Sequence, residues 1–194
     1  DASRTERSRC RSYHCNHMQK RILLLGGSAQ QLVAIQAAKD LGCYTVLCDY
    51  LPDNPGQHIA DRFYGASTTD VEAVYRIAAE EKVDGILAYA SDPAALPAAI
   101  VAERRGLPTN PAKSVEILGV KHPWRKFLKD NGFACPKAYP FTIGTELSEL
   151  LDAAADFKFP LVVKPTDSSG SKGISIIDSW EGFQDAASHA KRFS

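Results

Sequence analysis

Hydrophobic positions along the chain follow two alternating patterns. KRILLLG, near the start of the apolar sequence, is a short continuous run that reads as a strand buried on both faces. SAQQLVAIQAAKDLG follows it, with Leu32, Ile35 and Ala38 at the spacing of one helix face, Ser28 at the N-cap and Gly42 past the end. YTVLCD predicts a second strand, residues 62–65 a short third, and DGILAYA a further buried one. Thr69 and Glu72 have the spacing of a capping box for the helix DVEAVYRIAAEEK. Asp92, just before Pro93, predicts the cap of a helix through AALPAAIVAERRG.

Strands alternating with helices imply right-handed crossovers, a Rossmann-like α/β unit with a parallel sheet, and ligand sites at the C-terminal strand ends. That unit is expected over residues 18–108. TNPAKSVEILGVKHPWRKFLKDNGFACP breaks the alternation and predicts two short helices parted near Gly119 and ended by Asn131 and Gly132, a helical connector over residues 109–131. Beyond it AYPF, PLVVKP and GISIID read as strands, and TELSELLDAAADF and SWEGFQDAASHAKRF as helices. Residues 132–194 are therefore the start of a second, α+β unit.

Composition narrows the function classes. The 194 residues are 44% hydrophobic and 24% charged, as in globular domains. Lys plus Arg number 23 and so do Asp plus Glu, so any anion site must be local, and neither nucleic acid nor a membrane surface is an expected partner. No run is long enough to span a bilayer and residues 1–17 contain no Leu, Ile, Val or Phe, so a cytoplasmic location is expected. Residues 1–17 read as a leader or disordered tail, although Cys10, His14, Cys15 and His17 offer soft ligands that could hold zinc. With Cys43, Cys48 and Cys135 the cysteines make an odd number without a C-x-x-C pair, which predicts free thiols.

The candidate chemistry sits in LVVKPTDSSGSKGISII, residues 161–177. Residues 165–172 put eight residues between two predicted strands, where two to five are usual, and they are small and polar. Gly170 and Gly173 permit a backbone that presents N–H groups to an anion, and Ser168, Ser169 and Ser171 add hydroxyl donors. Lys164 shares a strand face with Val162, an apolar setting that calls for an anionic partner, and phosphate fits; the alternative is a solvated hairpin. A P-loop is excluded, because Lys172 precedes Gly173 and a strand follows.

FPLVVKPTDSSGSKGISII, GVKHPWRKFLKDNGFACPKAY and the strand ends ILLLGGSAQQ, CDYLPDNP and LAYASDPA together resemble the ATP-grasp superfamily of carboxylate ligases, such as carbamoyl-phosphate synthetase and biotin carboxylase. The resemblance covers residue 18 to the end. It implies a pre-ATP-grasp domain followed by an incomplete first ATP-grasp subdomain, with Lys121, Lys164, Ser168, Ser169, Gly170, Ser171, Lys172 and Gly173 at ATP. It further implies that the carboxylate is converted to an acyl phosphate which an amine or other nucleophile attacks. The Mg²⁺ ligands would come from a later subdomain, so no metal residue and no catalytic acid or base is assigned in this chain, and the chain alone is expected to be inactive. Gly26, Gly27 and Ser28, where a strand meets a helix N-terminus, suit a substrate carboxylate or phosphate, or else form only a tight turn. Asp92 matches an acidic residue facing the cleft in similar ligases. Partners are then the small-molecule carboxylate and nucleophile, and a homodimer is allowed. Two other readings stand beside this one: an NAD(P)-binding oxidoreductase, suggested by glycines after strand one and Asp49 after strand two, and a non-catalytic nucleotide-binding module.

Overall fold

The computed structural model describes residues 19–142, 144–168 and 170–194. The tail, its Cys10, His14, Cys15 and His17, and Ser169 of the serine-rich loop lie outside the described residues.

Strands β1 (Arg21–Leu25), β2 (Tyr44–Asp49), β3 (Arg62–Gly65) and β4 (Gly85–Leu87) form a four-stranded parallel sheet in the order β3-β2-β1-β4. Alternation along β1 and β2 divides the core between the two sheet faces. Leu23, Leu25, Val46 and Cys48 pack with residues of α2 (Val71–Glu80) and α3 (Asp92–Arg104), including Val74, Ile77, Ala98 and Val101. Leu24 and Leu47 pack on the other face with Ala34 and Ile35 of α1 (Leu32–Asp40). The unbroken apolar runs thus record burial on both faces, as parallel sheets require.

Details at the ends differ from the sequence expectation. Asp70, not Thr69, caps α2, its carboxylate accepting from the amides of Glu72 and Ala73 at 3.0 Å each, because Thr69 is engaged with Ser67. Asp92 is the first residue of α3, with Ser91 preceding it, so it is not the cap. β4 is only three residues long and partly exposed, since it forms an edge of the sheet.

The connector forms α4 (Ala112–Gly119) and α5 (Lys121–Asp130), separated by the extended backbone of Val120. After it, β5 (Leu161–Val163) and β6 (Ser175–Ile177) make an antiparallel pair. Leu150 of α6 (Leu147–Ala153), Phe183, Ala186 and Ala190 of α7 (Phe183–Lys191), Val163 and Ile177 form a separate core. Residues 138–141 are not a strand: Pro136 and Pro140 remove ladder donors, and this segment instead sends Phe141 against Phe183, with ring centroids 5.2 Å apart. Cys43, Cys48 and Cys135 are free thiols, and burial first, then Asp49 and Asp70, pushes the Cys48 thiol up to about 12, which keeps it unreactive.

Leu47 is fully buried whereas Val33 is 59% exposed. Leu47→Ala should therefore cost about 2–5 kcal/mol in urea unfolding and Val33→Ala less than about 0.5 kcal/mol. Equal effects would contradict the two-faced core.

Asp61 supplies a pH test. Burial would raise its carboxyl, but Lys39 at 2.5 Å and the amide and hydroxyl of Thr45 at 2.8 Å each outweigh it and hold the carboxyl below the usual value. A depressed folded pKa gives stability that is complete above the unfolded value of about 3.9 and lost as pH falls through the folded one. Asp61→Asn should thus flatten the decline in urea stability below about pH 4 and leave its slope between pH 6 and 8 unchanged.

Candidate functional site

A cavity of about 410 Å³ opens between the start of α5 and the β5–β6 pair. Its wall has two chemical zones. Phe141, Trp180, Phe183, Val163 and Ile177 make an apolar zone continuous with the smaller core, and Lys121, His122, Arg125, Lys137 and Lys164 bring basic groups into a lining that is otherwise largely apolar. No Asp or Glu is among the lining residues. A chain with equal numbers of acidic and basic residues has therefore collected one sign of charge around a single cavity.

Lys121 is held in place by the backbone. It begins α5, where the first N–H groups have no helical acceptor, and its amide donates to the Thr166 carbonyl at 3.1 Å. Its ammonium donates to the Ser168 carbonyl and, at 3.5 Å, to that of Thr166. Lys164 follows β5 and is half-buried. Burial first, then the charges of Arg125 and Lys121, lowers its pKa below the ordinary lysine value.

The structure thus brings together Lys121 and Lys164 from the sequence-predicted set. Ser168 meets Lys121 through its carbonyl, and its hydroxyl donates to the Lys172 carbonyl at 3.3 Å. Gly170 and Ser171 both have left-handed backbone, at φ 66° and 59°. Along with Lys172 they lie outside the lining and are exposed. Gly173 has a packing reason to be glycine: at φ 71° a Cβ would come within 2.8 Å of Pro165 and 2.9 Å of Phe193. Arg125, His122 and Lys137 were not predicted. Arg125 was accessible to sequence reasoning, because it stands four residues after Lys121 on the same helix and so on the same face.

The Gly26, Gly27 and Ser28 turn is elsewhere, at the C-terminal end of β1, and it is closed by the protein itself. Gly26 N–H donates to the Cys48 carbonyl at 2.9 Å, Gly27 N–H to the Asp49 carboxylate at 2.7 Å, and Ser28 N–H to the Gln31 side-chain oxygen at 2.9 Å. In this structure the three amides are thus bonded within the protein, as in the tight-turn alternative. Any Cβ on Gly27 would fall 2.1 Å from the Asn54 amide oxygen. The same bonds remove the basis of the oxidoreductase reading: Asp49 accepts from Gly27 and, at 2.9 Å, from Leu51, rather than facing a ribose site. Asp92 is exposed and does not line the cavity.

The structure is thus a parallel-sheet α/β unit followed by a smaller unit with a cavity that gathers basic side chains, and comparison with known proteins places it among relatives. No family model matches the chain. Over 167 residues it is 30% identical to the formate-dependent phosphoribosylglycinamide formyltransferase of Synechococcus, covering 86% of this chain and 42% of that protein. Over 162 residues it is 34% identical to the phosphoribosylamine–glycine ligase of Pyrococcus abyssi, covering 81% and 36%. In fold it is similar to the biotin carboxylase domain dimer of the Hydrogenobacter thermophilus 2-oxoglutarate carboxylase, solved with ADP and its magnesium salt, at a TM-score of 0.70 and 22% identity, covering 91% of this chain and 43% of that one. The chain is similar to ATP-grasp ligases over more than four fifths of its own length. It spans about two fifths of the length of the curated relatives it matches. No helix among the described residues is long and apolar enough to cross a membrane.

The like charges around Lys164 can be tested directly. In a lysine-resolved NMR titration Lys164 should titrate below the ordinary lysine range. Inorganic pyrophosphate should move it upward, because an anion stabilises the charged form. A titration at the ordinary value, unmoved by pyrophosphate, would contradict this geometry.

Proposed function

We propose that this chain is the portion of an ATP-dependent carboxylate–amine ligase that carries the first phosphate-facing cations. The observation that carries the proposal is the convergence of Lys121 and Lys164 on a cavity with an apolar zone and no carboxylate in its lining. An ATP molecule has matching ends: a flat base for the zone of Phe141, Trp180 and Phe183, and a polyanion for the lysines. Ser168, Gly170, Ser171, Lys172 and Gly173 belong to the same proposal as the loop beside the phosphates, joined by Ser169 of the sequence reading.

In the reaction proposed for the whole ligase, a carboxylate oxygen attacks the γ-phosphorus and the bond to the β-phosphate oxygen breaks, giving an acyl phosphate and ADP. An amine then attacks the acyl carbon, phosphate leaves, and the amine gives up a proton. Negative charge gathers on the transferring oxygens, so the contribution of this chain is positioning and charge stabilisation by fixed cations. Magnesium takes oxygen ligands, and the cavity lining offers no carboxylate for it; carboxylate ligands for the ion are proposed to come from other parts of the ligase. The carboxylate and amine substrates are proposed to be small molecules.

Calorimetric titration tests the nucleotide. ATP should bind the chain and NADH should not, and tighter NADH binding would overturn the proposal. Joined to the remainder of an ATP-grasp domain, Lys164→Met should lower acyl-phosphate formation by about 30- to 1,000-fold, roughly 2–4 kcal/mol of transition-state stabilisation, with little change in unfolding. Methionine keeps the apolar stem and removes the charge. Unchanged turnover would leave Lys164 as only a packing residue.

A further inference from the structure

Of the cations lining the cavity, Arg125 is the one whose position most needs a partner. Lys121 already has the carbonyls of Ser168 and Thr166, and Lys137 faces Asp156 at 3.3 Å. Arg125 is half-buried, sits one helical turn beyond Lys121 on α5, and forms no ion pair or side-chain hydrogen bond among the described residues. Its neighbour Lys126, by contrast, reaches Asp130 at 2.7 Å and does not line the cavity. A guanidinium held near two ammonium groups is electrostatically unfavourable unless an anion enters between them.

From this convergence we infer that Arg125 is a phosphate-binding residue, forming with Lys164 a pair that receives the polyphosphate of the nucleotide. The inference rests on the proposed nucleotide site and adds to it a residue outside the loop and the two lysines. Arg125 and Lys164 have no acceptor of their own among the described residues, so an entering phosphate meets these two first, while Lys121 must exchange loop carbonyls for phosphate oxygens. The planar guanidinium offers two parallel N–H donors to one phosphate, which an ammonium cannot. Arg125 also affects Lys164 more strongly than Lys121 does, which agrees with its placement beside that lysine.

The probe is inorganic triphosphate, titrated calorimetrically into the full chain. Arg125→Met should weaken its binding by about tenfold to a hundredfold, Arg125→Lys by less, and Lys126→Met not measurably. In the unmodified chain the Arg125 Nε–H NMR signal should shift on titration in parallel with that of Lys164, a readout that does not depend on any variant folding. Failure of the unmodified chain to bind triphosphate overturns both the nucleotide site and this inference. Loss of binding in Lys164→Met with undiminished binding in a folded Arg125→Met, or an Arg125 signal that stays still while Lys164 shifts, overturns the role of Arg125 alone.

Discussion

The grip of Lys121 on the loop after β5 is the interaction on which the cavity depends. Its amide and its ammonium both reach carbonyls of that loop, so one residue fixes the start of α5 against the exit of β5. Both bonds follow from elementary needs. A helix N-terminus has donors without acceptors, and a loop too long for a tight hairpin has carbonyls without donors. Joining the two needs no further side chain, and it brings α5 with Arg125 and the exit of β5 with Lys164 to the same cavity. The cationic wall is thus a consequence of backbone pairing before it is a feature of charge.

Charge then explains what the wall can do. Each basic side chain in the cavity would be unremarkable in water, where exposed charges are screened. Partial burial removes much of that screening, and the lowered pKa of Lys164 is the physical sign of it. The apolar zone beside it matters equally, because a lower local dielectric strengthens the attraction for an anion as much as the repulsion among cations. A polyanion with a flat apolar end satisfies both zones together.

Much of the fold was legible because buried parallel strands leave continuous apolar runs, and β2 and β3 fall where YTVLCD and residues 62–65 placed them. Legibility ended where tertiary partners decide. The shift of the cap from Thr69 to Asp70 turns on a competing bond between Thr69 and Ser67, and the missing strand at residues 138–141 turns on prolines and the pull of Phe183. In the site, Lys121 and Lys164 were visible through motif and strand register. Arg125 could have been read from its i, i+4 spacing to Lys121 on the predicted helix, whereas its place beside the cavity depends on tertiary packing.

The two glycine-containing loops show why residue type alone does not define an anion site. Gly26, Gly27 and Ser28 have the composition and the place of a cradle, yet Cys48, Asp49 and Gln31 accept their N–H groups. Those bonds lie at the end of a sheet buried on both faces, where an unused donor would cost free energy, so the turn is satisfied internally. The loop after β5 borders a cavity open to solvent, and part of its hydrogen bonding goes to Lys121, a side chain that can exchange partners without unfolding a strand. Internal satisfaction makes the first loop a structural joint. The second is held in part by bonds to the Lys121 side chain that can exchange partners, and that difference in replaceability is why the proposed phosphate site lies at the second.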